Sequence, residues 1–489
     1  MAEEKKAANG VEWRISLEHG SSKIMVEESS GPAVRAWLGL KCLVLKVGKF
    51  FGKAKEVGVN DPRKVVHCLK VGMALCIVSL FYYMRPLYEG VGGNAMWAIM
   101  TVVVVFENTV GATIYKSLNR VLGTSLAGML AFSVHWLATQ SGEKFEPIIV
   151  GASIFLLASS ATFSRFIPSV KQWFDYGAMI FILTFCLVAV SGYRVDQLFE
   201  MAYQRLSTII IGTSLCIFVS MLICPIWAGQ ELYTQLTSNM DKLANSLDGC
   251  VAEYFNSNDN NKTSDKNLFG YKCVLSSKAS EDSMANFARW EPAHGLFSFK
   301  HPWKQYPKIG ASLRSWACCI EALTSCIDSE NQTPEFIKKQ LDSVCLRVSS
   351  NSSNVIKELS KTIKKMKRSP NIDFFIEEMN SAVEELQEAI TSLSSLFSPP
   401  ESKKPDEVDS EAMDTIPLME VIPVATFASL LIEVATRTKT IVKEVEELAK
   451  LAEFKVAGED KCKENQPNNR IELQSQAKDE ESMKALQRV

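Results

Sequence analysis

Six apolar segments crowd into residues 65–224, and no other feature narrows the possible folds so far. They run 65–85, 94–111, 117–138, 146–164, 176–192 and 201–224. Each approaches the ~20 residues that a helix needs to cross a hydrocarbon core ~30 Å thick. A soluble protein could bury one such helix. Six in succession read as a membrane domain, because in lipid every backbone polar group must be paired inside the spanning structure. Short connections predict a compact bundle. The overall composition conceals this division. A net charge of −2 and 47% hydrophobic residues over 489 positions average an apolar stretch, 66–228, with a polar one, 229–489.

Lysine and arginine set the orientation. Before the first segment stand Arg35, Lys41, Lys46, Lys49, Lys53, Lys55, Arg63 and Lys64, opposed by Glu56 and Asp61. Lys116 and Arg120 follow the second segment, and Arg165 and Lys171 follow the fourth. The alternate junctions are balanced or acidic: Arg85 with Glu89, Lys144 with Glu143 and Glu146, Arg194 with Asp196 and Glu200. The N-terminus is therefore expected in the cytosol and, after six crossings, so is the polar half. Within 33–60, Trp37, Leu38, Leu40, Leu43, Val44, Val47, Phe50 and Phe51 recur near helical spacing between lysines. That pattern predicts a basic amphipathic helix, lying on the inner membrane face or packed on the polar half.

The fold class that follows is an all-α membrane protein: six transmembrane helices per subunit, then a helical cytosolic domain. Residues 1–32 form a tail without the apolar core or cleavage site of a signal peptide. The membrane domain is 61–228. The cytosolic domain is 229–455, with helices expected over 229–256, 271–289, 305–328, 334–368, 372–397 and 421–454 and a polar linker at 398–420. The charged tail 456–489 is expected to be disordered. No P-loop, dinucleotide fingerprint, HExxH or GxSxG is present, the five histidines share no metal-binding spacing, and the thirteen cysteines form no CxxC pair. No enzyme activity, cofactor, metal site or nucleic-acid partner is expected. Trp290-Glu291-Pro292 reads as a structural corner, with Pro292 ending a helix and Trp290 anchoring it.

An ionisable residue at membrane depth is costly and is a functional candidate. Lys116 and Arg120, four apart, share one helix face. Either they snorkel to the interface, or the chain turns back tightly on Gly111 and leaves Arg120 in the bilayer or a watery vestibule. A helix starting near Gln197 puts Arg205 eight residues along it, about 12 Å at ~1.5 Å per residue. Cations in a low-dielectric channel lower the barrier for anions. Glu107 is the one candidate for an acidic relay, or else a partner for a nearby cation.

Several motifs resemble those of the plant aluminium-activated malate transporters. They are Asn60-Asp61-Pro62-Arg63-Lys64, the run Asn94–Glu107, Val110-Gly111-Ala112-Thr113, Leu118-Asn119-Arg120, Phe174-Asp175-Tyr176-Gly177, Cys224-Pro225-Ile226-Trp227-Ala228-Gly229 and Trp290-Glu291-Pro292. The resemblance covers about 60–454. It implies a homodimer that conducts malate passively, often with inorganic anions such as chloride or nitrate, and has paired arginines from both subunits lining a central pore. Arg120 and Arg205 match those arginines by motif, and Lys116 lies one turn away at the inner mouth. Both plasma and vacuolar membranes occur in the family; the plasma membrane is favoured here. Glu89, Asp196 and Glu200 fall at outer helix ends, either as solvated loop charges or as a site for a hard trivalent cation. A coupled organic-anion carrier would instead need internal repeats and a titratable relay, and a non-conducting scaffold would have no use for buried arginines.

Overall fold

The computed structural model describes residues 6–7, 10–11, 32–83, 95–142, 144–192, 198–255, 269–295, 297–298, 300–328, 335–395 and 418–456. Most of the expected N-terminal tail, the expected C-terminal tail beyond residue 456 and the linker up to residue 417 lie outside these. Met1–Met73 and Ala74–Val489 form separate compact units. In the first, β1 (Lys6–Ala7) pairs antiparallel with β2 (Gly10–Val11). Helix α1 (Pro32–Asn60) follows, and α2 (Pro62–Tyr83) begins in this unit. Pro62 has no N–H to leave unpaired, so it opens α2 without loss. On α1, Leu43, Val44, Val47, Phe50 and Phe51 are all exposed beside Lys46, Lys49 and Lys53.

The second unit continues with α3 (Ala95–Val105), α4 (Val110–Gln140), α5 (Glu146–Ser164), α6 (Pro168–Gly192) and α7 (Leu198–Leu222). A polar helical bundle follows: α8 (Ala228–Phe255), α9 (Gly270–Leu275), α10 (Lys278–Ala288), α11 (Gln305–Asp328), α12 (Glu335–Lys365), α13 (Ile372–Ser395) and α14 (Leu418–Leu451). In it, β3 (Lys367–Arg368) pairs parallel with β4 (Lys455–Val456).

Among the described residues, α4, α5, most of α6 and α7, and α14 are long and apolar enough to cross a membrane. The expected first crossing corresponds to α2, and the second is the 11-residue α3. At ~1.5 Å per residue α3 is about 16 Å long, roughly half a hydrocarbon core. The turn expected at Gly111 occurs earlier. Helix α3 stops at Val105, Phe106–Thr109 are irregular, and α4 already runs from Val110. Thr109 caps it, its hydroxyl accepting from the Ala112 N–H at 3.3 Å.

Helix α4 packs along α6 by close backbone approach. A Cβ on Gly123 would meet the Gly177 carbonyl oxygen at 2.7 Å, and one on Gly177 would meet Asn119 Oδ1 at 2.7 Å. Asn119 Nδ2 donates to Tyr115 O (3.0 Å) on its own helix and to Trp173 O (3.2 Å) on α6. Above them Ala127 and Ala131 bury against Phe181, Phe185 and Val188. Helix α7 lies against α3, where a Gly212 Cβ would come within 3.1 Å of Ala98 O. Helix α5 has no buried residue.

The apolar face of α14 is spent on the bundle core. Val424, Phe427, Leu431 and Val434 are buried among α8, α11 and α12 residues. Phe427 stacks on Tyr254 at 3.8 Å, and Trp316 Nε1 donates to Thr438 Oγ1 at 2.9 Å. Its apolarity is that of a central bundle helix with charges on the outer face, Lys439, Lys443, Glu446 and Lys450 among them.

Candidate functional site

The motifs around Val110, Asn119, Tyr176, Trp227 and Glu291, scattered in sequence, meet where the candidate membrane helices join the bundle. Helix α7 ends at Leu222, and Cys224 turns the chain with a positive φ of 41°, uncommon for a residue with a side chain. Ile226 O then accepts from the Val110 N–H at 2.9 Å, tying the start of α4 to the exit of α7. Trp227 stacks on His294 at 4.0 Å. A side chain on Gly229 would collide with the Trp303 ring.

Glu291 holds this joint together. Its Oε1 accepts from the Gly111 N–H at 3.1 Å and the Ala228 N–H at 2.6 Å, and its Oε2 from the Gly229 N–H at 3.0 Å. One carboxylate thus caps the first turns of α4 and α8, where free N–H groups and the helix dipoles favour negative charge. Burial pushes the Glu291 carboxyl above its usual range, against the pull of the Gly229, Ala228 and Gly111 N–H donors and of His294. Gly111 is small because the backbone of Phe287 passes directly over it. Trp290 wedges between Tyr115 of α4 and Trp173 of α6, with both ring pairs 5.7 Å apart.

Six residues into α4, Lys116 forms an ion pair with Glu107 and sits 5.6 Å from the centre of the Tyr176 ring. One turn on, Arg120 is 7% exposed. Its Nη1 donates to the Tyr176 hydroxyl oxygen at 3.2 Å, and its Nε has no partner. Among the described residues no carboxylate pairs with it, whereas Arg165 has Asp175 at 2.8 Å. The hydroxyls of Ser117 and Thr124 are also buried and unpartnered. With Arg120 they fall at i, i+3 and i+7, so they share one polar face of the helix. Arg205 on α7 is half-buried, with its guanidinium 4.1 Å from the centre of the Trp97 ring on α3, a cation–π contact. It too lacks a carboxylate partner among the described residues.

Of the acidic residues proposed for the outer side, Glu89 and Asp196 lie outside the described residues, as does the side chain of Glu200. Sequence reasoning placed Glu291 in a structural corner without its capping role, and missed Ser117 and Thr124. The role of Glu291 had no local signal, because its partners lie 180, 63 and 62 positions away. The other two were legible as hydroxyls spaced three and four residues from Arg120.

The sequence matches the model of one protein family, "Aluminium activated malate transporter", over residues 55–408 and 398–449. It is 52% identical over 490 residues to aluminum-activated malate transporter 10 of Arabidopsis thaliana, covering 94% of this chain and 97% of that protein. It is 44% identical to Arabidopsis thaliana aluminum-activated malate transporter 2, covering 84% of this chain and 79% of that one. Identity to aluminum-activated malate transporter 1 of Triticum aestivum is 40%, over 90% and 94% of the two chains. A joint built from the recurring motifs, apolar helices above it and matches along nearly the whole length lead to one conclusion: the chain belongs to the aluminium-activated malate transporter family.

Proposed function

We propose that this protein is a homodimeric anion channel that passes malate, and inorganic anions such as chloride or nitrate, down their gradients across a plant membrane. Each subunit contributes six crossings, with α2 to α7 as their helical parts and α3 supplying about half the depth of the second. Residues 61–228 form the membrane domain, the bundle from 229 to 455 lies in the cytosol, and the basic helix within 33–60 rests on the inner leaflet. The plasma membrane is the favoured host. The names of the relatives support malate as the cargo.

The observation that carries the reading is Arg120. Ten residues from the start of α4, at ~1.5 Å each, it stands about 15 Å into the bilayer if Val110 marks the cytosolic face. The contact of Gly111 with Glu291 of the bundle, and that of Val110 with Ile226 just before the bundle begins, support that level. A guanidinium there with a hydroxyl as its hydrogen-bond partner and no carboxylate keeps its field for a passing anion. At an effective dielectric of about 20, a monovalent anion about 8 Å away gains about 2 kcal/mol, and a dianion about twice that. Arg205 supplies a second cation near the start of α7. Glu107 neutralises Lys116 in this conformation, so an anion entering at Lys116 competes with that carboxylate.

Voltage clamp of the expressed protein under a malate gradient tests this. Wild-type current should reverse near the malate equilibrium potential. Arg120→Gln should cut conductance by at least roughly thirtyfold, the factor that about 2 kcal/mol gives for a single anionic charge. Unchanged current in the variant would remove Arg120 from the pore.

A further inference from the structure

A second basic site opens beside the joint. A cavity of about 760 Å³ lies between the first turns of α6, the lower part of α4, and α10 and α11 of the bundle. Its size suits a compact organic ligand. Three cations on three elements line it: Lys171 in the first turn of α6, Arg289 just after α10, and Lys304 just before α11. None pairs with a carboxylate among the described residues. Two other charged residues in the wall are already neutralised, Lys116 by Glu107 and Asp175 by Arg165. Asp282 is the remaining unpaired acid, so three free cations face one carboxylate. Arg289 is held in the wall by stacking 5.7 Å from the centre of the Trp173 ring, while Lys171 and Lys304 are exposed and reachable.

We infer that this cavity binds a multiply charged phosphate group, either an inositol-phosphate-type lipid headgroup or a free phosphorylated metabolite. Three converging cations exceed what a single carboxylate requires. A phosphate ester offers three oxygens and nearly two charges to satisfy them. The position favours this chemistry as well, because basic pockets at the cytosolic ends of membrane helices meet lipid headgroups. A phosphate held there would link α6 to the bundle across the joint that Glu291 and Trp290 already brace. The lipid arm rests on the topology proposed above; phosphate binding itself does not.

The experiment reads binding rather than current, so its failure and that of the channel reading are separable. Full-length protein in neutral-lipid nanodiscs is titrated with radiolabelled inositol trisphosphate, and separately assembled into discs carrying a phosphoinositide. Each basic residue near an anionic surface contributes about a fivefold change in affinity, so Lys171→Gln/Arg289→Gln/Lys304→Gln should weaken binding on the order of a hundredfold. The double variant Lys171→Gln/Lys304→Gln, which leaves the Arg289 stacking intact, should fall between. Asp282→Asn removes the opposing charge and should tighten binding several-fold. Equal affinity for the soluble probe and the lipid would assign a free metabolite, and preference for the lipid a headgroup. No binding in either form, no response to Asp282→Asn, or equal displacement by malate would overturn the proposal.

Discussion

Glu291 accepts from three backbone N–H groups at the starts of two helices. Glu291→Gln keeps one acceptor oxygen but turns an amide NH2 toward a backbone N–H, leaving a buried donor facing a donor. That costs about 1–3 kcal/mol. Thermal unfolding of the purified protein in detergent should show a lower Tm for the variant, and an unchanged Tm would mean that the joint does not depend on the carboxylate. His301 gives a second test. It is buried, its ring nitrogen Nε2 is 2.9 Å from the Tyr306 hydroxyl, and burial pulls its pKa down to about 4. Because the folded state resists the proton, His301 contributes full stability above about pH 6.5 and loses it as pH falls toward 4, a few kcal/mol in all. Wild-type Tm should therefore fall more steeply over that window than that of His301→Gln, and parallel curves would refute the assignment.

At the scale of elements, the protein relies on backbones that touch. Gly123→Ala drives a methyl into the Gly177 carbonyl oxygen, so α4 and α6 must part and Asn119 must release Trp173. Overpacking of this kind costs about 1–3 kcal/mol. A lower Tm should accompany weakened current, because Arg120 depends on that interface to reach Tyr176; normal stability and current would show that the helices separate freely. Helix α14 is the converse case, apolar yet bound to the bundle. Phe427→Ala empties a site that stacks on Tyr254 and should cost about 3–5 kcal/mol. Cysteine labelling at the two ends of α14 should report the same side of the membrane, and opposite sides would make α14 a crossing.

For the whole molecule, the proposed pore needs two copies. Mass photometry in detergent should give twice the 54.4 kDa chain mass plus detergent. A monomer would leave Arg120 and Arg205 without the partner arginines that a two-fold pore requires. The exposed belt of Trp136, Phe155, Phe163, Val190 and Phe218 is then divided between lipid and the second copy. Asn351, in an N-x-S triplet on α12, should carry no sugar if the bundle is cytosolic; glycosylated Asn351 would invert the topology.

The sequence by itself determined that the chain is helical and inserts in a membrane, because hydrocarbon burial is written in runs of apolar residues long enough to be read locally. It also displayed Arg120 and Arg205, since a charge in an apolar run stands out in one dimension. The hydroxyls of Ser117 and Thr124 were there to be read at helical spacing around Arg120. The tertiary structure alone decided what those charges touch: Tyr176 and a polar face for Arg120, Glu107 for Lys116, the Trp97 ring for Arg205. It alone revealed that Gly111 serves close approach rather than a turn and that α14 spends its apolar face inside the bundle. Those contacts join residues far apart in sequence, and a hydrogen bond or a clash across such a separation leaves no local period to read.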